Sequence, residues 1–397
     1  MTGAAILTWF SHRGGYPLIA GSPFRWALSI GLLFFAAAGS ARGEELLVFI
    51  SAFAPGEKGA IHAFQLDPAE GDLKPLHRTA GIENPFFIAI SPDDKYLYAT
   101  QAPKQHGAGD EAVFAYALEG RTGKLNFLNQ QPSLGTATCY VDVDATGKSV
   151  LLANYLSGSV AALPVNEDGS LRPAATFLQH AGSSVDPQRQ QGPHAHSIVT
   201  SPNNKFVLAA DLGLDQLLSY RLDPATAQLT PARQPFARTA PGAGPRHLTF
   251  HPSGKHLYVI NELSDTVTMY DYDIDSGLMI ERQTVSTLPA EAEGDMNWTA
   301  DLKITPDGKF LYGTNRGHDS LASYKIGDDG LLTRLAVVPS GGKNPQNLAI
   351  TPGGELLLCA NMGGGQVTVF RIDGATGGLT RVGEPIHMPN PSCIMVR

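Results

Sequence analysis

Two kinds of tight turn alternate along this chain from Glu44 onward, and no other feature restricts the possible folds as strongly. The first turn occurs six times, as SPDDKYLYAT, DATGKSVLLAN, SPNNKFVLAAD, HPSGKHLYVIN, TPDGKFLYGTN and TPGGELLLCAN. The second is an acidic, mostly glycine-containing turn that occurs seven times and is closed by Leu73, Leu125, Leu171, Leu229, Leu278, Leu331 and Leu379. Asp, Asn, Pro and Gly supply the backbone angles of tight turns, and alternating Val, Tyr, Phe and Leu flank them as in strands. Each repeat therefore predicts four antiparallel strands.

A four-stranded repeat of about 50 residues has the size of a β-propeller blade, in which radial closure protects the edges of the sheets. Seven copies of the second turn predict an all-β, seven-bladed propeller. The repeats begin with LLVFISAF, which lacks a preceding strand, and end with NPSCIMVR, which lacks the strands that would follow it. We therefore expect the N- and C-terminal strands to share one blade and close the ring. A β-sandwich or a solenoid leaves these complementary half-repeats unexplained.

The N-terminal segment has the organisation of a secretory signal. In residues 25–41, RWALSIGLLFFAAAGSA, Arg25 precedes an apolar run that ends in small residues. We expect residues 1–41 to be a signal peptide, residues 42–397 to be the propeller domain, and the processed protein to be periplasmic or secreted. The apolar run is too short for a comfortable membrane span, and we expect no stable membrane span after processing.

Charge and motif content exclude several classes of function. The formal net charge is -8 and no basic run is present, so nucleic acid is not an expected partner. The three cysteines show no CxxC spacing, which predicts three separate thiols rather than a zinc knuckle or a disulfide framework. P-loop, GxSxG and HExxH motifs are missing from the sequence. We expect no cofactor.

Equivalent positions of the repeats differ at a few places, and these places are candidates for a functional site. The repeats align on the turn lysine, which is replaced by Glu355 in the last copy. Nine residues before that anchor lie Phe86, Cys139, His196, Arg246, Ala300 and Gln346. Seven residues after it lie Ala102, Tyr155, Leu212, Glu262, Arg316 and Met362. His196, Arg246, Glu262 and Arg316 stand out in these two sets, because they are the histidine, arginine and glutamate side chains among them.

These four side chains are predicted to converge at one mouth of the channel. In an antiparallel hairpin, the start of one strand and the end of the next lie at the same edge of the sheet. We predict His196, Arg246, Glu262 and Arg316 as catalytic residues. The residues predicted to contact the substrate are His194, His247, Tyr155 and Gln346.

Two structural alternatives apply to these residues. Arg246 and Glu262 could form an ion pair that serves stability alone. His194 and His196 could bind a metal ion, but neither a third histidine nor a carboxylate has a recognised companion spacing, so we expect no metal.

The segments GPHAHSIVTSP, GPRHLTFHPSGKHLYVINE and ADLKITPDGKFLYGTNR resemble the propeller-type lactonase family, which includes bacterial 6-phosphogluconolactonase and a fungal carboxymuconate lactonising enzyme. The resemblance extends from about Glu45 to Arg397 and implies a seven-bladed fold. In the muconate enzyme a histidine, two arginines and a glutamate are proposed active-site residues. Their motifs match His196, Arg246, Arg316 and Glu262, so the resemblance implies the same four residues as the comparison of the repeats.

The leading hypothesis for function is metal-independent hydrolysis of a sugar lactone, such as 6-phosphogluconolactone or a related gluconolactone. His196 or Glu262 would activate water, Arg246 would stabilise the oxyanion, and Arg316 would bind a carboxylate or phosphate. The first alternative is a lactonising cycloisomerase of muconate-like diacids. The second is a non-catalytic exported propeller that binds an envelope protein or a saccharide. The expected ligand of the leading hypothesis is a small lactone or sugar acid.

Overall fold

The computed structural model describes residues 46–102, 111–292, 294 and 296–397. The predicted signal peptide, residues 1–41, lies outside these residues. Within the described part of the chain, 28 strands form seven four-stranded antiparallel sheets, which confirms the predicted propeller. Two short 3-10 helices span Gly56–Lys58 and Ala290–Ala292. The described residues contain no helix long and apolar enough to cross a membrane.

The strands follow one another around the ring in sequence order, four to a blade. Blade 1 consists of β28 (Pro391–Val396), β1 (Leu46–Ala52), β2 (Ala60–Leu66) and β3 (Leu73–Thr79), and blade 2 of β4 (Pro85–Ile90), β5 (Tyr96–Gln101), β6 (Ala112–Leu118) and β7 (Leu125–Pro132). Blade 3 consists of β8 (Thr138–Val143), β9 (Ser149–Asn154), β10 (Ser159–Pro164) and β11 (Thr176–Gln179), and blade 4 of β12 (Ala195–Thr200), β13 (Phe206–Asp211), β14 (Gln216–Asp223) and β15 (Gln228–Arg238). Blade 5 consists of β16 (Pro245–Phe250), β17 (His256–Asn261), β18 (Thr266–Tyr272) and β19 (Met279–Ser286), and blade 6 of β20 (Trp298–Ile304), β21 (Phe310–Arg316), β22 (Ser320–Ile326) and β23 (Leu332–Pro339). Blade 7 consists of β24 (Pro345–Ile350), β25 (Leu356–Asn361), β26 (Gln366–Ile372) and β27 (Leu379–His387).

The terminal strands share blade 1, as the half-repeats predict. Strand β28 pairs with β1 in antiparallel register, with Val48 opposite Val396 and Ser51 opposite Cys393. The hydroxyl oxygens of Ser51 and Ser392 lie 2.9 Å apart and are buried. The ring is therefore closed by hydrogen bonds between the two ends of the propeller domain.

Apolar side chains from facing sheets fill the space between adjacent blades, and a recurring tyrosine joins several blades. Tyr98, Tyr258 and Tyr312 are fully buried on the second strand of their blades. Each donates its hydroxyl to the carbonyl oxygen of a glycine turn in the next blade, at 2.7 to 3.0 Å. The LY of three of the six first turns is therefore a blade-to-blade contact. The cysteines are free and buried, as expected from their spacing.

The innermost strands place one side chain of every blade at the same mouth of the channel. Strands β4, β8, β12, β16, β20, β24 and β28 contact one another in a closed ring. The pairing of each of these strands with the next strand of its blade is interrupted by a β-bulge. A bulge redirects a side chain locally. The residues within these bulges include Phe86, Cys139, His196, Arg246, Ala300, Gln346 and Ser392. The first six are the positions that precede the turn lysine by nine residues.

Candidate active site

Six side chains form a closed ring of contacts at this mouth of the channel. Each of them forms a hydrogen bond or an aromatic contact with the next side chain around this circle. In order they are Tyr155, Arg189, Glu262, Arg246, His247 and His196. Arg316 joins the ring through Glu262. The structure therefore brings together the four residues that the comparison of the repeats selects.

Glu262 is the carboxylate at which three guanidinium groups meet. It follows β17 directly, and its side chain is 6% exposed. Oε2 accepts hydrogen bonds from Nε of Arg246 at 2.9 Å and from Nη2 of Arg316 at 2.8 Å, and Oε1 accepts from Nη2 of Arg189 at 2.5 Å. Burial alone would raise the pKa of this carboxyl, but Arg316 and Arg246 lower it far below 4.5. Glu262 is therefore ionised at neutral pH, and both of its oxygens are occupied.

Arg246 is the most buried cation of the site, with 1% of its side chain exposed. Nη1 donates to the carbonyl oxygen of Ala300 at 2.5 Å and lies 3.1 Å from Nε2 of His247. Nη2 has no hydrogen-bond partner among the described residues. Burial and the charge of Arg316 lower the pKa of Arg246 to about 10, so the guanidinium is charged at neutral pH. A fixed, charged donor at a site of low dielectric is suited to bind developing negative charge.

His196 is a neutral imidazole beside this cation. Burial, and then the charge of Arg246, lower the pKa of His196 well below 6.5. Its Nδ1 lies 3.6 Å from Sγ of Cys139, and burial raises the pKa of that thiol to about 12. The imidazole lines a cavity of about 170 Å³ together with Phe53, Phe86, Ala102, Ala137, Thr138, Cys139 and Tyr155. The mouth therefore combines an apolar half with a charged half.

Asp301 fixes the imidazole of His247. Nδ1 of His247 lies 2.9 Å from Oδ1 of Asp301, and the aspartate also accepts hydrogen bonds from Lys303 and Asn347. Burial and the charge of Arg246 lower the pKa of His247 to about 4. A neutral His247 that donates through Nδ1 to Asp301 presents an Nε2 lone pair to Nη1 of Arg246. Asp301 therefore holds the ring that contacts the guanidinium of Arg246.

Arg316 and the remaining residues predicted to contact a substrate, His194 and Gln346, border the same cluster. Arg316 ends β21 and is 20% exposed, with Nη2 also donating to the carbonyl oxygen of Thr299 at 2.9 Å. Its Nη1 makes a long contact of 3.5 Å with Gln346. His194 stacks on Tyr155 with the ring centroids 4.7 Å apart. These side chains leave donors and an aromatic face at the rim of the mouth.

The two histidines of the HAH segment face different partners. Nδ1 of His194 lies 2.9 Å from the carbonyl oxygen of Tyr155, whereas Nδ1 of His196 faces Cys139. Across the described ranges, no group of three or more His, Cys, Asp or Glu side chains is arranged to hold a metal ion.

Residues 47–396 match the sequence profile of the family described as Lactonase, 7-bladed beta-propeller. The chain belongs to this family. Among propeller lactonases, it is 34% identical over 347 residues to the 6-phosphogluconolactonase of Bacillus subtilis, a match that covers 87% of this chain and 97% of that protein. It is 30% identical over 354 residues to the 6-phosphogluconolactonase of Formosa agariphila, over 88% of this chain and 99% of that protein.

A solved structure has the same architecture at comparable identity. The periplasmic gluconolactonase of Pseudomonas aeruginosa superposes with a TM-score of 0.83 and 30% sequence identity, covering 89% of this chain and 99% of that one. The resemblance drawn from the sequence motifs is therefore confirmed at the level of the family. Two of these relatives are named for a phosphorylated lactone, and the Pseudomonas aeruginosa protein is named for gluconolactone.

Two residues of this propeller lactonase site escape the comparison of the repeats. Arg189 lies in the connection between β11 and β12, which is longer than the corresponding connections of the other repeats. The signal for it is the spacing between Leu171 and Leu229, which is the widest of the series. Asp301 lies one residue beyond the aligned position that holds Ala300. Comparing the positions eight residues before the turn lysine, rather than nine, would have found it, because Asp301 is the only carboxylate among them.

Proposed function

We propose that this propeller lactonase hydrolyses the ester bond of a sugar lactone such as 6-phosphogluconolactone or a related gluconolactone. The observation that carries the proposal is the contact network that joins a neutral, buried imidazole, His196, to a buried guanidinium, Arg246, with an unpaired Nη2. Ester hydrolysis needs a base for water and a donor for the oxyanion. The names of the relatives, 6-phosphogluconolactonase and gluconolactonase, support the class of substrate.

In the proposed reaction, His196 removes a proton from water while the water oxygen attacks the lactone carbonyl carbon. Nδ1 of His196 carries the ring proton and directs it toward the sulfur of Cys139, and Nε2, which has no partner among the described residues, takes the proton from water. The π electrons of the carbonyl move onto its oxygen, which accepts a hydrogen bond from Nη2 of Arg246. The ring C–O bond then breaks, and the leaving oxygen takes the proton from His196 to give the open hydroxy acid.

We assign Glu262 a positioning role rather than that of the base. Its two oxygens already accept hydrogen bonds from three arginines, whereas Nε2 of His196 has no partner among the described residues. By fixing Nε of Arg246, the carboxylate orients the remaining guanidinium nitrogens toward the reacting carbonyl. Such orientation before the reaction begins is an important source of electrostatic stabilisation in enzymes.

The activity is tested by following acid release at constant pH from 6-phosphogluconolactone and from δ-gluconolactone, with the uncatalysed rate subtracted. The wild type is expected to hydrolyse at least one of them, and Arg246→Met is expected to be about a hundredfold slower because it lacks the oxyanion donor. EDTA is expected to leave the rate unchanged, because none of the proposed steps uses a metal ion. Equal rates for the wild type and Arg246→Met would refute catalysis at this site, and a loss of activity in EDTA that a divalent cation restores would refute the metal-free mechanism.

We also propose that the reaction takes place outside the cytoplasm. The order of Arg25, the apolar run and the small residues that follow supports export, and the Pseudomonas aeruginosa relative is described as periplasmic. Fractionation of bacterial cells that produce the full chain is expected to place a shortened protein in the periplasm or the medium. A version without residues 1–41 should stay in the cytoplasm, and an equal distribution of both versions would contradict export.

A further inference from the structure

The connection that carries Arg189 is the longest between any two blades. It spans residues 180–194, which is 15 residues, whereas the other connections between blades range from three residues (388–390) to eleven (287–297). The fold does not need this length, because residues 80–84 connect blades 1 and 2 with five residues. The extra chain lies beside the mouth, since Arg189 reaches Glu262 from it.

Two buried aspartates of blade 4 fix this connection at several points. Oδ2 of Asp211 lies 2.6 Å from Nδ1 of His180, at the start of the segment. Asp215 accepts hydrogen bonds from Ser184 at 2.6 Å and from the buried Gln190 at 2.8 Å. Because buried hydrogen bonds to charged groups are among the stronger ones, the segment is held in one conformation next to Arg189.

Arg189 is fixed at one end of its guanidinium and open at the other. Its Nη2 donates to Oε1 of Glu262 and, at 3.1 Å, to the hydroxyl oxygen of Tyr155, which lines the cavity. Its side chain is 33% exposed, and Nε and Nη1 have no hydrogen-bond partner among the described residues. Arg316 has a similar position on the other oxygen of the carboxylate, with Nη1 making only the 3.5 Å contact to Gln346. Two partly exposed arginines therefore flank one carboxylate.

The charges of this group leave an excess of positive charge at the mouth. Three guanidinium groups, those of Arg189, Arg246 and Arg316, form ion pairs with the one carboxylate of Glu262, so this ion-paired cluster by itself has a net charge of 3 − 1 = +2. A neutral lactone requires one cation at its carbonyl oxygen and leaves this excess unused. A phosphate monoester carries about −1.5 to −2 at neutral pH and accepts paired N–H donors from arginine.

We propose that Arg189 is a specificity-determining residue, which binds the phosphate of a phosphorylated sugar lactone together with Arg316. The inference rests on the proposed lactonase function and adds the class of substrate that this site prefers. Arg189 supplies Nε and Nη1 from one side of Glu262, and Arg316 supplies Nη1 from the other. The anchored segment 180–194 holds Arg189 in place before the substrate arrives, so little side-chain entropy is lost on binding.

The test compares kcat/KM for 6-phosphogluconolactone and for δ-gluconolactone in the wild type, Arg189→Met, Arg189→Lys and Arg172→Met. Arg172 is exposed in the turn between β10 and β11, so its variant controls for the loss of one positive charge. The ratio of interest is kcat/KM for 6-phosphogluconolactone divided by kcat/KM for δ-gluconolactone. Arg189→Met is expected to lower this ratio roughly 10- to 100-fold. Arg189→Lys should restore part of the ratio, and Arg172→Met should keep the wild-type ratio. An equal fall for both lactones would show that Arg189 only positions Glu262 and would overturn the proposal, as would an unchanged ratio.

Calorimetric binding of 6-phosphogluconate and gluconate separates this inference from the proposed function. The wild type is expected to bind the phosphorylated acid more tightly, and Arg189→Met is expected to lose that preference. If the wild type hydrolysed neither lactone, the proposed function would fail, while the two binding constants would still decide the role of Arg189. Equal affinity of the wild type for the two acids would overturn the inference even if hydrolysis were observed.

Discussion

Replacing Glu262 with glutamine is expected to lower the free energy of unfolding by about 3–5 kcal/mol and to lower kcat/KM by at least about a hundredfold. Glutamine has nearly the same shape, so the substitution mainly removes the charge. Three guanidinium groups would then lose their shared counter-ion, and that of Arg246, only 1% exposed, would remain out of water. Arg246 would also lose the contact that orients it toward the lactone carbonyl. Denaturant unfolding and the lactonase assay measure the two effects separately.

The pH dependence of this loss has a defined sign. The folded state lowers the pKa of Glu262 far below its usual 4.5, chiefly because Arg316 and Arg246 outweigh the effect of burial. A carboxylate of this kind contributes stability that is fully present above the unfolded pKa and is lost as the pH falls through the folded one. The difference in unfolding free energy between the wild type and Glu262→Gln should therefore be constant down to about pH 5 and shrink in more acidic solution.

A matched control is available on the surface. Glu119 forms an ion pair with Lys124 at 3.4 Å, with 46% of the glutamate side chain exposed. Exposed pairs contribute little, so Glu119→Gln should cost less than about 1 kcal/mol. Combining Glu262→Gln with Arg246→Met should recover part of the lost stability but none of the activity, because one unpaired buried cation is gone. A Glu262→Gln protein as stable as the wild type would contradict the role of this carboxylate as a counter-ion.

The architecture could be predicted from the sequence because every blade repeats the same turn chemistry. The six first turns and seven second turns place the strands, and the incomplete repeats at the two ends anticipate the pairing of β28 with β1. A single blade cannot bury both faces of its sheet, so a repeated blade has few alternatives to a closed ring. The bulges at the inner strands were not predicted, because nothing in the individual strand sequences distinguishes them from regular pairing.

The candidate site could be predicted only where it uses positions that all blades share. His196 and Arg246 occupy one such position and Glu262 another, so unusual side chains there are visible by comparison. Arg189 lies in a connection that is longer than those between the other blades, so its extra residues have no equivalents for comparison. The pairing of three arginines with one carboxylate depends on side-chain conformations. The spacing of residues therefore left open whether His196 or Glu262 acts as the base.

Replacing His196 with glutamine is expected to lower kcat by roughly 10²- to 10⁴-fold, the usual contribution of a general base. Glutamine fills similar space and hydrogen-bonds to water, but it cannot take up a proton near neutral pH. Because burial and Arg246 lower the pKa of His196 well below 6.5, the wild-type imidazole is neutral at pH 7 and ready to accept a proton. The developing oxyanion then offsets the charge of Arg246, which makes the protonated imidazole more favourable in the transition state.

The pH profile distinguishes this role from a purely structural one. In the wild type, kcat/KM should stay level as the pH falls through 6.5 and decline only near the lowered pKa of His196. In Arg246→Met, whose residual activity is measurable, the decline should move to higher pH, because one of the two causes that lower the pKa is gone. The ring protons of His196, assigned by their loss in His196→Gln, should report the same shift by NMR.

His251→Gln, which changes a histidine in the turn before β17, should keep the wild-type kcat and profile. An unchanged kcat in His196→Gln, or the same decline in acid with and without Arg246, would show that another group activates the water.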